Sequence, residues 1–152
     1  MLKKIVSGGQ TGADRAALDV ALQLGILHGG WVPKGRRAED GPLPDRYQLK
    51  ETPTPHYPER TEQNVIDSNG TLVISHGTLT EGSAYTVEMA IKHARPWFHL
   101  DMERITLQEA SQALRSWIET NGIEVLNVAG PRQSNDPRIY DTVFTVLLKS
   151  LG

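Results

Sequence analysis

Ile5-Val6-Ser7-Gly8-Gly9-Gln10-Thr11-Gly12-Ala13-Asp14-Arg15-Ala16-Ala17 is the stretch whose reading decides the fold. Ile5 and Val6, with Leu2 before them, read as a short buried strand. Residues 7–12 read as a loop. From residue 13 to 24 the apolar positions Ala17, Val20, Ala21 and Leu24 fall on one face, which predicts a helix. Gly25 ends that helix as a left-handed cap. A strand, a glycine-rich loop and a helix in immediate succession form the repeating unit of a parallel α/β sheet.

Outward from this unit the same order recurs. Residues 26–32 read as a second strand, weakened by Gly29 and Gly30. Residues 33–57 are broken by seven prolines and glycines and read as a long irregular segment with a short edge strand at 47–52. A polar helix at 59–68, capped by Asn69-Gly70, leads into an apolar strand at 71–75. A loop and a helix at 83–94 follow, stopped by Pro96, and then a strand at 97–100. Thr106 with Glu109 makes a capping box for a helix with Leu107, Ala110, Leu114, Trp117 and Ile118 as its apolar stripe. Asn121-Gly122 ends it before a strand at 123–128, and a last helix runs over 138–151. Three helices are thus followed by a glycine cap and at once by an apolar strand. That alternation predicts a Rossmann-like, doubly wound α/β fold, mostly parallel, with helices on both faces and residues 1–152 forming a single ligand-binding domain.

Composition narrows the function. The net charge is −2 and no run of Lys or Arg exceeds two, so a broad nucleic-acid surface is not expected. There is no cysteine, which excludes disulfides, thiolate nucleophiles and cysteine-ligated metals. The five histidines show no H-x-x-x-H spacing, so no protein-ligated metal is expected. The N-terminal residues lack the apolar stretch of a signal peptide and no segment reaches membrane-spanning length, which makes cytoplasm the expected location.

In open parallel sheets, ligands sit beyond the carboxyl ends of the strands. The loops that follow strands therefore supply the candidates. In the first, Gly8, Gly9, Gln10, Thr11, Gly12 and Asp14 suit an anion approached by backbone N–H groups at a helix N-terminus; the plainer reading is a tight turn capped by Asp14 or Thr11. In the second, Gly77, Thr78, Glu81, Gly82, Ser83 and Thr86 offer hydroxyls to phosphate oxygens and Glu81 to a ribose, against a simple helix cap by Thr80 or Ser83. In the third, Gly130, Arg132 and Ser134 present a planar cationic fork, unless Arg132 merely pairs with Asp136. In the fourth, Lys34, Arg36 and Arg37 could clamp an anion or form a lid, or stand as a solvated loop. Trp31, Trp97 and Trp117 read as packing residues.

Residues 7–17, Gly82-Ser83-Ala84-Tyr85-Thr86 and Val128-Ala129-Gly130-Pro131-Arg132-Gln133-Ser134 together resemble the motifs of the SLOG superfamily. That superfamily has a Rossmann-like fold and includes lysine decarboxylase-like and DNA-processing Smf-type proteins. In those relatives the V-x-G-x-R-x-S segment opens the domain, whereas here it lies near the C-terminus, so the chain resembles a circularly permuted SLOG protein. With the segment at 30–41, the arrangement is similar to the molybdenum carrier family. The resemblance implies a binding or carrier protein for a phosphate-bearing small ligand, either the molybdenum cofactor, a pterin phosphate, or a nucleotide. The alternatives are a nucleotide N-glycosidase or phosphoribohydrolase with Glu81 as acid and base, and a nucleotide-sensing regulatory domain. Residues 75–81 lack the paired glycines of the glycosidic relatives, so the expectation leans away from an enzyme. Relatives are often oligomeric, which also leans the expectation toward a homo-oligomer.

Overall fold

The last strand in the sequence lies in the middle of the sheet. In the computed structural model, which describes residues 2–152, the elements in chain order are β1 (Lys4–Val6), α1 (Ala13–Leu24), β2 (Leu27–Gly29), β3 (Trp31–Val32), β4 (Arg37–Ala38), β5 (Gly41–Pro42), β6 (Lys50–Glu51), α2 (Tyr57–Ile66), β7 (Gly70–Ser75), α3 (Glu81–Lys92), β8 (Trp97–Asp101), α4 (Leu107–Asn121), β9 (Val125–Ala129) and α5 (Ile139–Leu151). The main sheet has the order β2-β1-β9-β7-β8, and every pairing in it is parallel. This is the doubly wound, Rossmann-like α/β arrangement that the glycine-capped helices predict. β9 stands between β1 and β7, so the carboxyl ends of three strands lie side by side.

Burial explains the layers. All six residues of β7 are buried, as expected for a strand covered on both faces. Leu72 and Ile74 join Ile5, Leu126 and Val128 under α1, α4 and α5 in the main core. Val65 of α2 and Met89 and Ala90 of α3 form a second apolar cluster. Ile139, Val143, Val146 and Leu147 of α5 are fully buried, as their spacing predicts. Gly25 and Gly122 both adopt the left-handed conformation that ends their helices, and Thr106 with Glu109 forms the capping box.

Four expectations need correction. The strand expected over 26–32 is two: it breaks at Gly30, whose φ is 129° and where a Cβ would stand 2.2 Å from the Ser7 carbonyl oxygen. β2 stays in the main sheet while β3 leaves it to pair with β6, under a third cluster of Leu18, Val32, Leu43 and Tyr47. Asn69-Gly70 does not cap α2; Asp67 does, and Gly70 already belongs to β7. α3 begins at Glu81, capped by the Thr80 hydroxyl, so Gly82 and Ser83 lie in its first turn. Two apolar side chains expected in packing, Trp97 and Leu107, are exposed.

Candidate functional site

Parallel neighbours bring their following loops together. The segments after β1, β9 and β7 meet above one edge of the sheet and enclose a cleft of about 370 Å³. Gly8, Gln10 and Asp14 line it from the first loop and α1. Glu81, Gly82, Ser83 and Thr86 line it from the first turns of α3. Gly130, Arg132 and Ser134 line it from the segment between β9 and α5. The close fit of that segment depends on Gly130, where a Cβ would lie 2.5 Å from the Ile74 carbonyl oxygen and 2.7 Å from the Ala13 Cβ.

The fourth wall comes from α2, which the sequence reading did not assign to the site. Tyr57, Arg60, Thr61 and Asn64 all line the cleft. They recur at i, i+3, i+4 and i+7, a polar stripe that is present in the sequence but that a solvent-facing helix would show equally. Arg60 is buried; its Nη1 donates to the Gly8 carbonyl oxygen and its Nε to the Thr61 hydroxyl. Its guanidinium fills the space where Gly8 lacks a side chain, with Nη1 2.3 Å from the point of a Cβ. Asn64 holds β3 in place, accepting from the Trp31 N–H at 2.7 Å and donating to the Trp31 carbonyl.

Charge in the cleft is unevenly paired. Burial pushes the Asp14 carboxyl above its ordinary value, and Arg60, the Gln10 N–H, Arg15 and Arg132 oppose this without cancelling it. Burial likewise lowers the Arg60 guanidinium, with Asp14 opposing. Yet no ion pair joins Asp14 to any of these three arginines. The Arg132 guanidinium makes no ion pair with any described carboxylate; it lies 5.5 Å above the Tyr57 ring, which Arg60 also covers at 5.1 Å. Asp136, the expected partner of Arg132, is taken by His76 Nδ1 at 2.5 Å, and His76 Nε2 meets the Thr142 hydroxyl at 3.1 Å. The amide Nε2 of Gln10 is buried and has no hydrogen-bond partner among the described residues.

The other sequence candidates lie outside the cleft. Gly9 packs against Leu49, Val32 and Leu43, an apolar environment rather than an anion's. Gly12 sits against the carbonyl of Pro131 and the N–H of Gln133, joining two loops. Thr11 accepts from the Gln133 N–H and donates to Glu39. Gly77 donates to Asp101, and Thr78 lines a separate surface depression. Lys34 is exposed, and Arg36 is turned into its own segment, donating to the carbonyls of Pro44, Tyr47 and Leu49. The fourth segment reaches the first loop through different residues: Glu39 accepts from Thr11 and Ser134, and Asp40 pairs with Arg15 at 3.0 Å. Partial burial pushes the Glu39 carboxyl up, but the bonds from Ser134 and Thr11 outweigh it and hold it below its ordinary value.

Among the described residues no cluster of three or more His, Asp or Glu could hold a metal ion, and no helix is long and apolar enough to cross a membrane. No curated protein matches the chain. Among solved structures, a protein of Syntrophus aciditrophicus SB named "Putative molybdenum carrier protein" is 52% identical and superposes with a TM-score of 0.98, over 99% of this chain and 96% of that one. The model of the circularly permutated YpsA SLOG family matches residues 5–151. The chain therefore belongs to that family.

Proposed function

We propose that this chain binds a small phosphate-bearing ligand, the pterin phosphate of the molybdenum cofactor or a nucleotide, in the cleft between α2, α3 and the loops after β1 and β9. The observation that carries this reading is the Arg132 guanidinium: it lines the cleft without an ion-pair partner, beside the buried Arg60. A planar guanidinium left without a carboxylate suits a phosphate. Gly82 adds to it. No atom of the described residues lies within 4 Å of where its Cβ would stand, so packing gives no reason for a glycine in the first turn of α3. The open space leaves its N–H free to approach an anion.

The remaining polar groups ask for more than an anion. Asp14 offers an acceptor and Gln10 Nε2 an unused donor, and both line the cleft. A pterin or a purine carries ring N–H groups and ring nitrogens that answer both, so the donor set fits a pterin phosphate as well as a nucleoside monophosphate. Bound, the molybdenum cofactor would hold its metal on its own dithiolene. The protein's part would be to grip the phosphate with Arg132, Arg60 and the α3 amides and to orient the ring against Asp14 and Gln10. The 52% identical protein is named a molybdenum carrier, and of the two ligands only the pterin phosphate carries molybdenum.

Native mass spectrometry of the purified protein tests this directly. A co-purifying mass of a pterin phosphate or a nucleotide is the expected result. Absence of any adduct, together with no heat of binding for AMP or GMP, would overturn it. Glu81 lines the same cleft next to Gly82 and favours a second reading, cleavage of a nucleotide's glycosidic bond. Steady release of free base from AMP, lost in Glu81→Gln, would establish that reading in place of a carrier.

A further inference from the structure

We propose that Glu39 is a built-in stand-in for an anion: its carboxylate occupies a ligand subsite at the cleft mouth and holds the 37–42 hairpin closed until a phosphate displaces it. This inference rests on the function proposed above.

The hairpin is small. β4 and β5 pair antiparallel, Arg37 with Pro42 and Ala38 with Gly41, which leaves Glu39 and Asp40 alone at the tip. Both are exposed, and of the six residues only Ala38 packs against an apolar cluster. Its seat on the rest of the molecule is therefore polar. Asp40 takes Arg15 of α1 in a two-pronged pair at 3.0 and 3.1 Å. The Glu39 N–H donates to Gln10 Oε1 at 2.8 Å.

The carboxylate of Glu39 receives what an oxyanion would receive. Oε1 accepts from the Thr11 hydroxyl of the glycine loop and from the Ser134 N–H at 3.0 Å; Oε2 accepts from the Ser134 hydroxyl at 2.6 Å. Three neutral donors from two loops far apart in sequence converge on one negative group, and among the described residues Glu39 has no ion pair. Backbone N–H and hydroxyl groups gathered at one point are the usual cradle of a phosphate oxygen. Ser134 also lines the cleft, so the cradle opens into it. A phosphate that arrives there competes with Glu39 for the same hydrogens. Once displaced, the hairpin keeps only the Arg15 pair, the Gln10 bond and Ala38.

Competition from an internal group lowers apparent affinity by the fraction of molecules whose cradle is free. If the latch is closed in about nine molecules of ten, its removal tightens phosphate about tenfold. The test uses inorganic phosphate as probe, with calorimetry for affinity and limited trypsin cleavage after Arg37 for the hairpin; cleavage after Arg104, in an exposed turn, serves as control. Glu39→Ala is expected to bind phosphate about tenfold more tightly than wild type and to be cut faster after Arg37 without phosphate. In wild type, phosphate is expected to speed that cut and to leave the Arg104 cut unchanged. Glu39→Asp keeps the charge but draws the carboxylate back by one methylene, and should loosen the hairpin as Glu39→Ala does. Ser134→Ala should also loosen it while gaining no phosphate affinity. Equal phosphate affinity in wild type and Glu39→Ala, or a hairpin cut unchanged by phosphate, overturns the inference. If AMP still binds in that case, the proposed function stands without the latch; if neither AMP nor phosphate binds either protein, both readings fall.

Discussion

Replacing Gly82 by Ala should stabilise the fold and weaken the ligand, and the two effects come from the same methyl group. Gly82 lies in the first turn of α3, and among the described residues no atom comes within 4 Å of its absent Cβ. Alanine in a helical position is worth about 0.5–1 kcal/mol over glycine, because the glycine loses more backbone freedom on folding. For a chain of this length that is a rise in Tm of roughly 1–4 °C. The added methyl also stands in the cleft, where a phosphate oxygen would approach the Gly82 N–H. Overfilling a fitted space costs about 1–3 kcal/mol, which is roughly a 5- to 150-fold loss of affinity. Thermal unfolding followed by fluorescence measures the first effect, and calorimetry with AMP or the co-purified ligand the second. A higher Tm with unchanged affinity would refute the role of the α3 N-terminus. A lower Tm would show that Gly82 serves the fold, and the argument from open space would fail.

Arg132→Ala should leave Tm within about 2 °C, since the side chain has no ion pair to lose, yet weaken ligand binding by about 1.5–3 kcal/mol, the value of a hydrogen bond to a charged group; calorimetry on the variant decides it, and unchanged affinity removes Arg132 from the site. Gly130→Ala should do the reverse of Gly82→Ala in stability: its Cβ would meet the Ile74 carbonyl and the Ala13 Cβ, so a loss of about 1–3 kcal/mol is expected by chemical denaturation, and an unchanged midpoint would show that β9 shifts freely. Asp14→Asn tests the buried carboxyl by pH. Burial raises its pKa above the ordinary 3.8, so the folded state binds the proton more tightly than the unfolded chain. Stability due to this group is therefore highest at low pH and falls as pH rises from about 3.8 through the raised value. Denaturation midpoints of Asp14→Asn relative to wild type should rise between pH 4 and pH 7, and a flat difference would contradict the sign.

The order of strands and helices was legible because its punctuation is local. Gly25 and Gly122 end helices by a backbone conformation that few other residues adopt, and Thr106 with Glu109 caps α4 through two short-range bonds. Three of the site's loops followed from that order, since in a parallel sheet the loops after neighbouring strands must share one edge. What escaped the sequence was set by distant contacts. Gly30 breaks the second strand because the Ser7 carbonyl passes where a side chain would stand. Gly70 looks like a helix cap but is held in β7 by Ile123 and Trp117, which leave no room for a Cβ. The charges of Lys34 and Arg36 suggest an anion clamp after β3, but their reach depends on how the hairpin folds, and Arg36 is spent on three carbonyls of its own segment. Arg60 was hidden for the opposite reason. A polar stripe on a helix ordinarily faces solvent, and only the tertiary fold turns the stripe at 57, 60, 61 and 64 inward.

That inward stripe constrains the ligand more than the glycine loops do. Arg60 and Asp14 are both buried beside the first loop, each perturbed by burial, and they are not joined in an ion pair. Opposite charges held apart in a low-dielectric place remain costly until something bridges them. A bare tetrahedral anion answers Arg60 and Arg132 but is repelled by Asp14, and it leaves Gln10 Nε2 without a partner. A ligand with a phosphate at one end and N–H groups on a flat ring answers all four. On the proposed reading, the cleft thus favours a pterin phosphate or a nucleoside monophosphate over molybdate or phosphate alone. The glycine loops could hold any of these; it is Asp14, kept beside two arginines and paired with neither, that separates them.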